Sequence, residues 1–140
     1  MKALAKLNKL YPELCAAENA LKSGKTPISV SGATGSEKNQ LIYSFAENTG
    51  KKALVIASDE LSAKEIYADI SSMSGENVLF FRAKEYVFYD VDVSTREIEA
   101  ERINVIKNIK NAKYIVTSAA AIMQYTVKKE IFDFYSKYKL

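Results

Sequence analysis

From residue 53 onward the chain alternates short, uninterrupted apolar runs with longer stretches in which apolar residues recur every three or four positions. The runs are Ala53-Leu54-Val55-Ile56-Ala57, Val78-Leu79-Phe80-Phe81 and Tyr114-Ile115-Val116-Thr117. Their length suits strands, and their continuous apolar character predicts burial on both faces, as in a parallel sheet. Ahead of them Ile28-Ser29-Val30-Ser31, behind Pro27, reads as one more strand, the first of the series. Between the runs lie helical patterns. One spans about Lys38 to Asn48, turns Leu41, Ile42, Phe45 and Ala46 inward, and stops at Gly50. The next is capped by Ser58 or Asp59 and buries Ala63, Ile66, Tyr67, Ile70 and Met73. A long third helix follows a capping box of Ser94 and Glu97, with Ile98, Arg102, Val105, Ile106 and Ile109 on one face. This alternation predicts an α/β fold: a mostly parallel sheet of about four strands with helices on both faces.

The two ends read as helical additions. Leu4, Leu7, Leu10 and Tyr11 share one helical face, and Pro12 suits the first turn of a new helix bearing Leu14, Ala17 and Leu21. Glu18 falls on that stripe and interrupts it, which predicts a partly buried helix ending near Gly24. After the last strand a short helix, Ala119–Gln124, precedes an amphipathic stretch carrying Val127, Ile131, Phe134, Tyr135 and Tyr138. The expected organisation is a helical segment over 1–24, an α/β domain over 25–126, and a C-terminal helix over 127–140 leading into a following domain.

Composition narrows the chemistry mainly by what is missing. The chain of 140 residues has no histidine, which removes His-based acid–base catalysis and His metal sites. Its single cysteine, Cys15, rules out an internal disulfide or a CxxC centre and reads as a core filler. Twenty basic against seventeen acidic residues leave a net charge of +3, too small a surplus to argue nucleic-acid binding by itself. No apolar run is long enough to span a membrane and the N-terminus has no signal-peptide core, so a cytoplasmic protein with no membrane partner is expected.

One motif carries candidate chemistry. Gly32-Ala33-Thr34-Gly35-Ser36-Glu37-Lys38-Asn39 follows the G-x-x-x-x-G-K-[ST] spacing of a phosphate-binding loop, between a strand-like run and a helix. Gly32 and Lys38 stand where the pattern wants them. Glu37 replaces the glycine that lets backbone approach the phosphate, and its carboxylate competes for the same helix N-terminus. Asn39 lacks the hydroxyl that would ligate Mg²⁺. The segment therefore reads as the relic of a nucleotide site, with no catalytic residue, no metal site and no cofactor expected here. Asp59-Glu60 follows a strand, but reads as acids favoured at a helix N-terminus rather than as a Mg²⁺ motif.

In order, these segments resemble the UvrB family of excision-repair proteins. The relic loop looks like its nucleotide loop, residues 53–63 like the helicase motif that follows, and Glu97-Ile98 with Arg102 and then Tyr114–Ala119 like its later segments. Only Arg82–Val93 stands where UvrB carries its long DNA-probing hairpin. A short aromatic loop there, with a decayed phosphate loop, is similar to the N-terminal UvrB-like module of bacterial transcription-repair coupling factors (Mfd). The resemblance runs from about Gly24 to about Gln124. It implies a degenerate P-loop NTPase fold of RecA/helicase type, acting as a non-catalytic scaffold in an ATP-dependent DNA translocase. It further implies a parent protein whose motor uses ATP and Mg, displaces stalled RNA polymerase, contacts DNA and recruits UvrA.

Candidate interface residues each have a plainer role beside them. Arg102 reaches a partner's carboxylate or phosphate, or packs its stem and pairs locally with Glu99 or Asp92. Arg96, in the first helical turn, is disfavoured by the dipole and so points to an acidic partner or to solvent. Tyr86, Phe88 and Tyr89 stack on bases or tuck under the sheet. Phe134, Tyr135 and Tyr138 form a docking stripe or pack internally. Two rival functions stay open: a nucleotide-binding enzyme using Lys38, and a single-strand DNA-binding module using Lys38, Arg82, Lys84 and the aromatic loop.

Overall fold

The structure, a computed structural model, describes residues 5–75, 78–84, 92–128 and 130–132. A 3-10 turn, Leu7–Leu10, precedes helix α1 (Pro12–Lys22) and helix α2 (Gly35–Thr49). Strand β1 (Ala53–Ala57) leads to α3 (Glu60–Ser74), β2 (Val78–Phe81) to α4 (Asp92–Asn108), and β3 (Tyr114–Ser118) to the short α5 (Ala119–Met123). The sheet is parallel, in the order β1-β3-β2. Tyr114 lies level with Ala53 on one side and Val78 on the other, and Val116 lies level with Val55 and Phe80.

That order fixes where the helices go. The chain steps from β1 across to β2 through α3, then back to β3 through α4. Right-handed crossovers in opposite directions put α3 and α4 on opposite faces of the sheet. On the first face Ala63, Ile66 and Ile70 of α3 and Tyr43 and Ala46 of α2 close over Tyr114 and Val116. On the second, α4 lies toward β2, with the Arg102 guanidinium 4.0 Å from the centre of the Phe81 ring.

Several expectations are corrected. The sheet has three strands among the described residues, because Ile28–Ser31 runs as an extended segment outside any ladder. Ser29, Val30 and Ser31 are exposed, while Ile28 tucks toward α1 and α2 beside Leu21 and Phe45. β1 is an edge strand, so its apolar run is buried on one face only: Leu54 and Ile56 are 59% and 55% exposed. α4 follows β2 and does not reach them. Of the helical face expected for Leu4 to Tyr11, Leu4 lies outside the described residues, and Leu7–Leu10 is a 3-10 turn, with Leu10 and Tyr11 exposed. α2 begins at Gly35, three residues before Lys38, and α4 begins at Asp92, so Ser94 is helical and not a cap. Residues 130–132 are helical, Val127 is not, and the stripe of Phe134, Tyr135 and Tyr138 lies outside the described residues.

Two polar clusters sit inside the packing. The fully buried Tyr114 donates its hydroxyl to Glu47 Oε1 at 2.7 Å, and Lys113 Nζ is 2.5 Å from the same oxygen. Burial first, and the Glu47 carboxylate next, push the Tyr114 phenol far above its usual range. At the N-terminal end Glu18, far from merely interrupting a stripe, is the buried residue of α1. Its Oε1 accepts from Asn8 Nδ2 at 2.8 Å and Asn48 Nδ2 at 2.6 Å, and Asn48 also donates to the Ala5 carbonyl.

Candidate functional site

In an open parallel sheet the carboxyl ends of the strands are where ligands gather, because the connecting loops diverge there. Here one residue joins all three ends. Glu60, at the start of α3, accepts Ser118 Oγ–H at the end of β3 (2.7 Å) and the Ala83 N–H beyond β2 (3.2 and 3.3 Å). Ser118 also accepts from Ala121 N–H and so caps α5. Gln124 clasps the main chain of Lys84 from both sides, its Oε1 accepting the amide at 2.6 Å and its Nε2 donating to the carbonyl at 2.9 Å.

The basic residues of this rim are matched by acids. Lys84 pairs with Glu99 at 2.8 Å and Arg82 with Glu101 at 3.2 Å. The hydrogen bond and charge of Lys84 hold the Glu99 carboxyl below its ordinary value. Arg102 is buried, donates to the carbonyls of Arg82 and Ala121 and to Thr126 Oγ1, and adds a favourable charge near Glu99. The guanidinium thus ties α4 to the exits of β2 and α5. Arg96 falls in the second turn of α4, where the dipole argument against a cation is weaker. Tyr86, Phe88 and Tyr89 lie outside the described residues.

The loop of the phosphate-binding pattern lies beside α1 and α3. Gly32 and Gly35 adopt positive φ (91° and 50°), which glycine tolerates without strain. Thr34 is the N-cap position of α2, and the Glu37 N–H donates back to the Thr34 carbonyl at 3.1 Å. Ser36, Glu37 and Lys38 are exposed. Asn39 is buried and turned away from the loop: its Nδ2 donates to Asp69 of α3 at 2.7 Å, and its buried Oδ1 accepts from none of the described residues. Lys38 borders an apolar cavity of about 300 Å³ between the loop, α1 and α2. A larger hollow of about 520 Å³ opens beside Gly32 and is lined by two carboxylates, Glu13 and Glu37.

Asp59 is the N-cap of α3: its carboxylate accepts Ser62 N–H at 2.8 Å and the hydroxyls of Ser58 and Ser62. Those bonds, the Ser62 amide foremost, lower its pKa to about 2. A depressed carboxyl contributes stability above its unfolded value of about 3.9, and that contribution fades as pH falls toward 2. Asp59→Asn keeps a capping oxygen without the titration. The gap in melting temperature between parent and variant is therefore expected to narrow from pH 7 to pH 2. A gap that stays constant across that range is the result that counts against the cap's charge.

Sequence reasoning did not single out Ser118 or Gln124, and gave Glu60 only the role of a dipole-favoured acid. The usable signals were small: an acid directly after a strand, and a hydroxyl at a strand's last residue.

The fold and site define a parallel α/β module whose strand ends are cross-linked by side chains and flanked by a loop of phosphate-binding spacing. Over 107 residues, 74% of its length, the chain is 26% identical to a transcription-repair-coupling factor of Bacillus subtilis. It is also 29% identical, over 118 residues and 73% of its length, to UvrABC system protein B of Thermosipho africanus. The UvrB and coupling-factor likeness read from segment order is thus present in sequence. The chain spans only 9% and 18% of the length of these two relatives. No family model matches the chain, and no solved structure matches it. Among the described residues no helix is long and apolar enough to cross a membrane.

Proposed function

We propose that this chain is a non-catalytic, UvrB-like scaffold module of a DNA-repair translocase, with the nucleotide chemistry residing elsewhere in the parent protein. The observation that carries the reading is the placement of Asn39. The position that holds a metal-ligating hydroxyl in a working loop is here buried against Asp69, fastening α2 to α3. Two neighbouring features support it. The loop has wound into helix from Gly35 onward, and Glu13 and Glu37 put negative charge in the hollow that a triphosphate would need. The rim of Glu60, Ser118, Gln124 and Arg102 then acts as an internal clasp holding the strand ends for contacts with the remaining domains. On this reading the parent motor supplies ATP, Mg and the principal DNA contacts, and the parent protein engages UvrA and stalled RNA polymerase in the cytoplasm. A single-strand DNA site at Arg82 and Lys84 loses support, since both cations are paired with acids.

The test is a thermal melt with and without ATP and Mg²⁺. A ligand at a hundred times its Kd stabilises by about 2.7 kcal/mol and raises the melting temperature by several degrees. We expect no rise, in the parent and in Lys38→Ala alike. A rise that Lys38→Ala abolishes replaces the scaffold reading with a nucleotide-binding one.

A further inference from the structure

The opposite rim, where the strands begin, has a different charge. The exposed Lys22 and Lys25 stand at the end of α1, Lys51 and Lys52 lead into β1, and Lys107 and Lys110 close α4. The contacts bring them together. Lys51 Nζ donates to the Leu21 carbonyl at 2.9 Å, and Lys52 Nζ donates to the Lys110 carbonyl. Ala53 N–H bonds the Lys113 carbonyl, which sets Lys52 beside Lys113 at the start of adjacent strands, about 4.8 Å apart. Carbonyl partners leave the ammonium charge uncompensated. Among the described residues, ion pairing on this rim is confined to Lys113 with Glu47. Helix C-termini favour lysine, which accounts for Lys22 and Lys107. It does not account for Lys51 and Lys52, which lie outside any helix and draw two basic helix ends onto one edge.

We propose that this amino-end rim is a binding surface for the phosphate backbone of duplex nucleic acid. Lysine is depleted at protein–protein interfaces, where arginine and aromatic anchors dominate. Here the exposed residues around the lysines are mainly asparagine and serine, with one apolar side chain, Ile109, 42% exposed between Lys107 and Lys110; among the described residues of the rim there is no arginine and no exposed aromatic face. Single-strand binders need aromatic platforms for the bases, and this rim offers none among the described residues. What remains is a set of flexible point charges, suited to regularly spaced phosphates read without sequence preference. The inference is independent of the scaffold reading and of the loop at residues 32–39.

The experiment is fluorescence anisotropy of a labelled DNA duplex with the 140-residue chain. We expect binding at low salt that weakens on the order of a hundred-fold between about 50 and 200 mM salt, as for about four phosphate contacts. The triple variant Lys51→Gln/Lys52→Gln/Lys110→Gln should lose tenfold or more, and Lys64→Gln, on α3, should change nothing. Because Lys51 and Lys52 also hold carbonyls, Lys22→Gln/Lys107→Gln provides a second variant that leaves those bonds intact and should also weaken binding. Undetectable binding at low salt overturns the proposal, as does full affinity in both multiple variants. Polyglutamate competing as well as duplex at equal charge assigns the rim to acidic polypeptides instead, and tighter binding of single strands refutes the duplex reading.

Discussion

Replacing Arg102 by leucine is expected to destabilise the fold by about 3 kcal/mol, the largest single effect anticipated for this chain. The side chain is 4% exposed, so its guanidinium is almost wholly withdrawn from water. It donates to two main-chain carbonyls, Arg82 and Ala121, and to the Thr126 hydroxyl, while its planar face covers Phe81. Leucine fills part of the volume but supplies no donor; the buried Ala121 carbonyl left without one carries a desolvation penalty of roughly 1–3 kcal/mol, and the half-buried Arg82 carbonyl and the lost contact with Phe81 add to it. For a domain of this size, 3 kcal/mol corresponds to a fall in melting temperature of roughly 10 °C. Lysine in its place keeps a charge but presents a single point donor where a planar fork reaches several acceptors, and should recover less than half of the loss. Urea unfolding with an unchanged slope checks this. A leucine variant within about 0.5 kcal/mol of the parent means that Arg102 is not the pin between α4, β2 and α5, and returns it to the list of outward-facing interface residues.

Much of the scaffold was legible because it rests on local pattern. Three apolar runs became β1, β2 and β3, and the periodicity of residues 60–74 and 92–108 became the two crossover helices. Asp59 could be read as a cap because capping links residues three positions apart. What escaped the sequence was long-range. Leu54 and Ile56 look like core residues, but an apolar run does not record whether its strand lies at the sheet edge or which helix crosses it. Ile28–Ser31 carries strand-like residues, yet a strand exists only if a neighbour pairs with it, and the composition of the segment says nothing about the neighbour. The clasp of Glu60, Ser118 and Gln124 joins residues 58 and 40 positions apart in its longest links, and depends on a strand order that only the crossover directions reveal. The orientation of Asn39 was equally hidden. Its spacing marked it as a loop position, whereas the early start of α2 turns its side chain into the helix interface.

Glu18 marks the second large effect, because its buried carboxylate joins α1 to the N-terminal turn and to the end of α2. Leu10 and Tyr11 are exposed and supply no apolar anchor, although Ala5 is buried. One carboxyl oxygen of Glu18 collects two amide donors, Asn8 from the turn and Asn48 from the end of α2, at 7% exposure. Glu18→Leu is expected to cost about 2–3 kcal/mol, since the Asn8 amide, 1% exposed, loses its acceptor without gaining access to water. Asn48 retains the Ala5 carbonyl and so suffers less. Glu18→Gln keeps an acceptor oxygen at the same place and should lose no more than half as much. The two variants together separate loss of an acceptor from loss of an acid. Hydrogen exchange provides the spatial check: in Glu18→Leu, protection should fall first in residues 5–22, while β3 keeps its protection because its amides are bonded in the ladders with β1 and β2. Uniform loss across both regions would mean that the N-terminal segment and the sheet unfold as one cooperative unit, and that the polar knot at Glu18 is a structural part of the core rather than a tether.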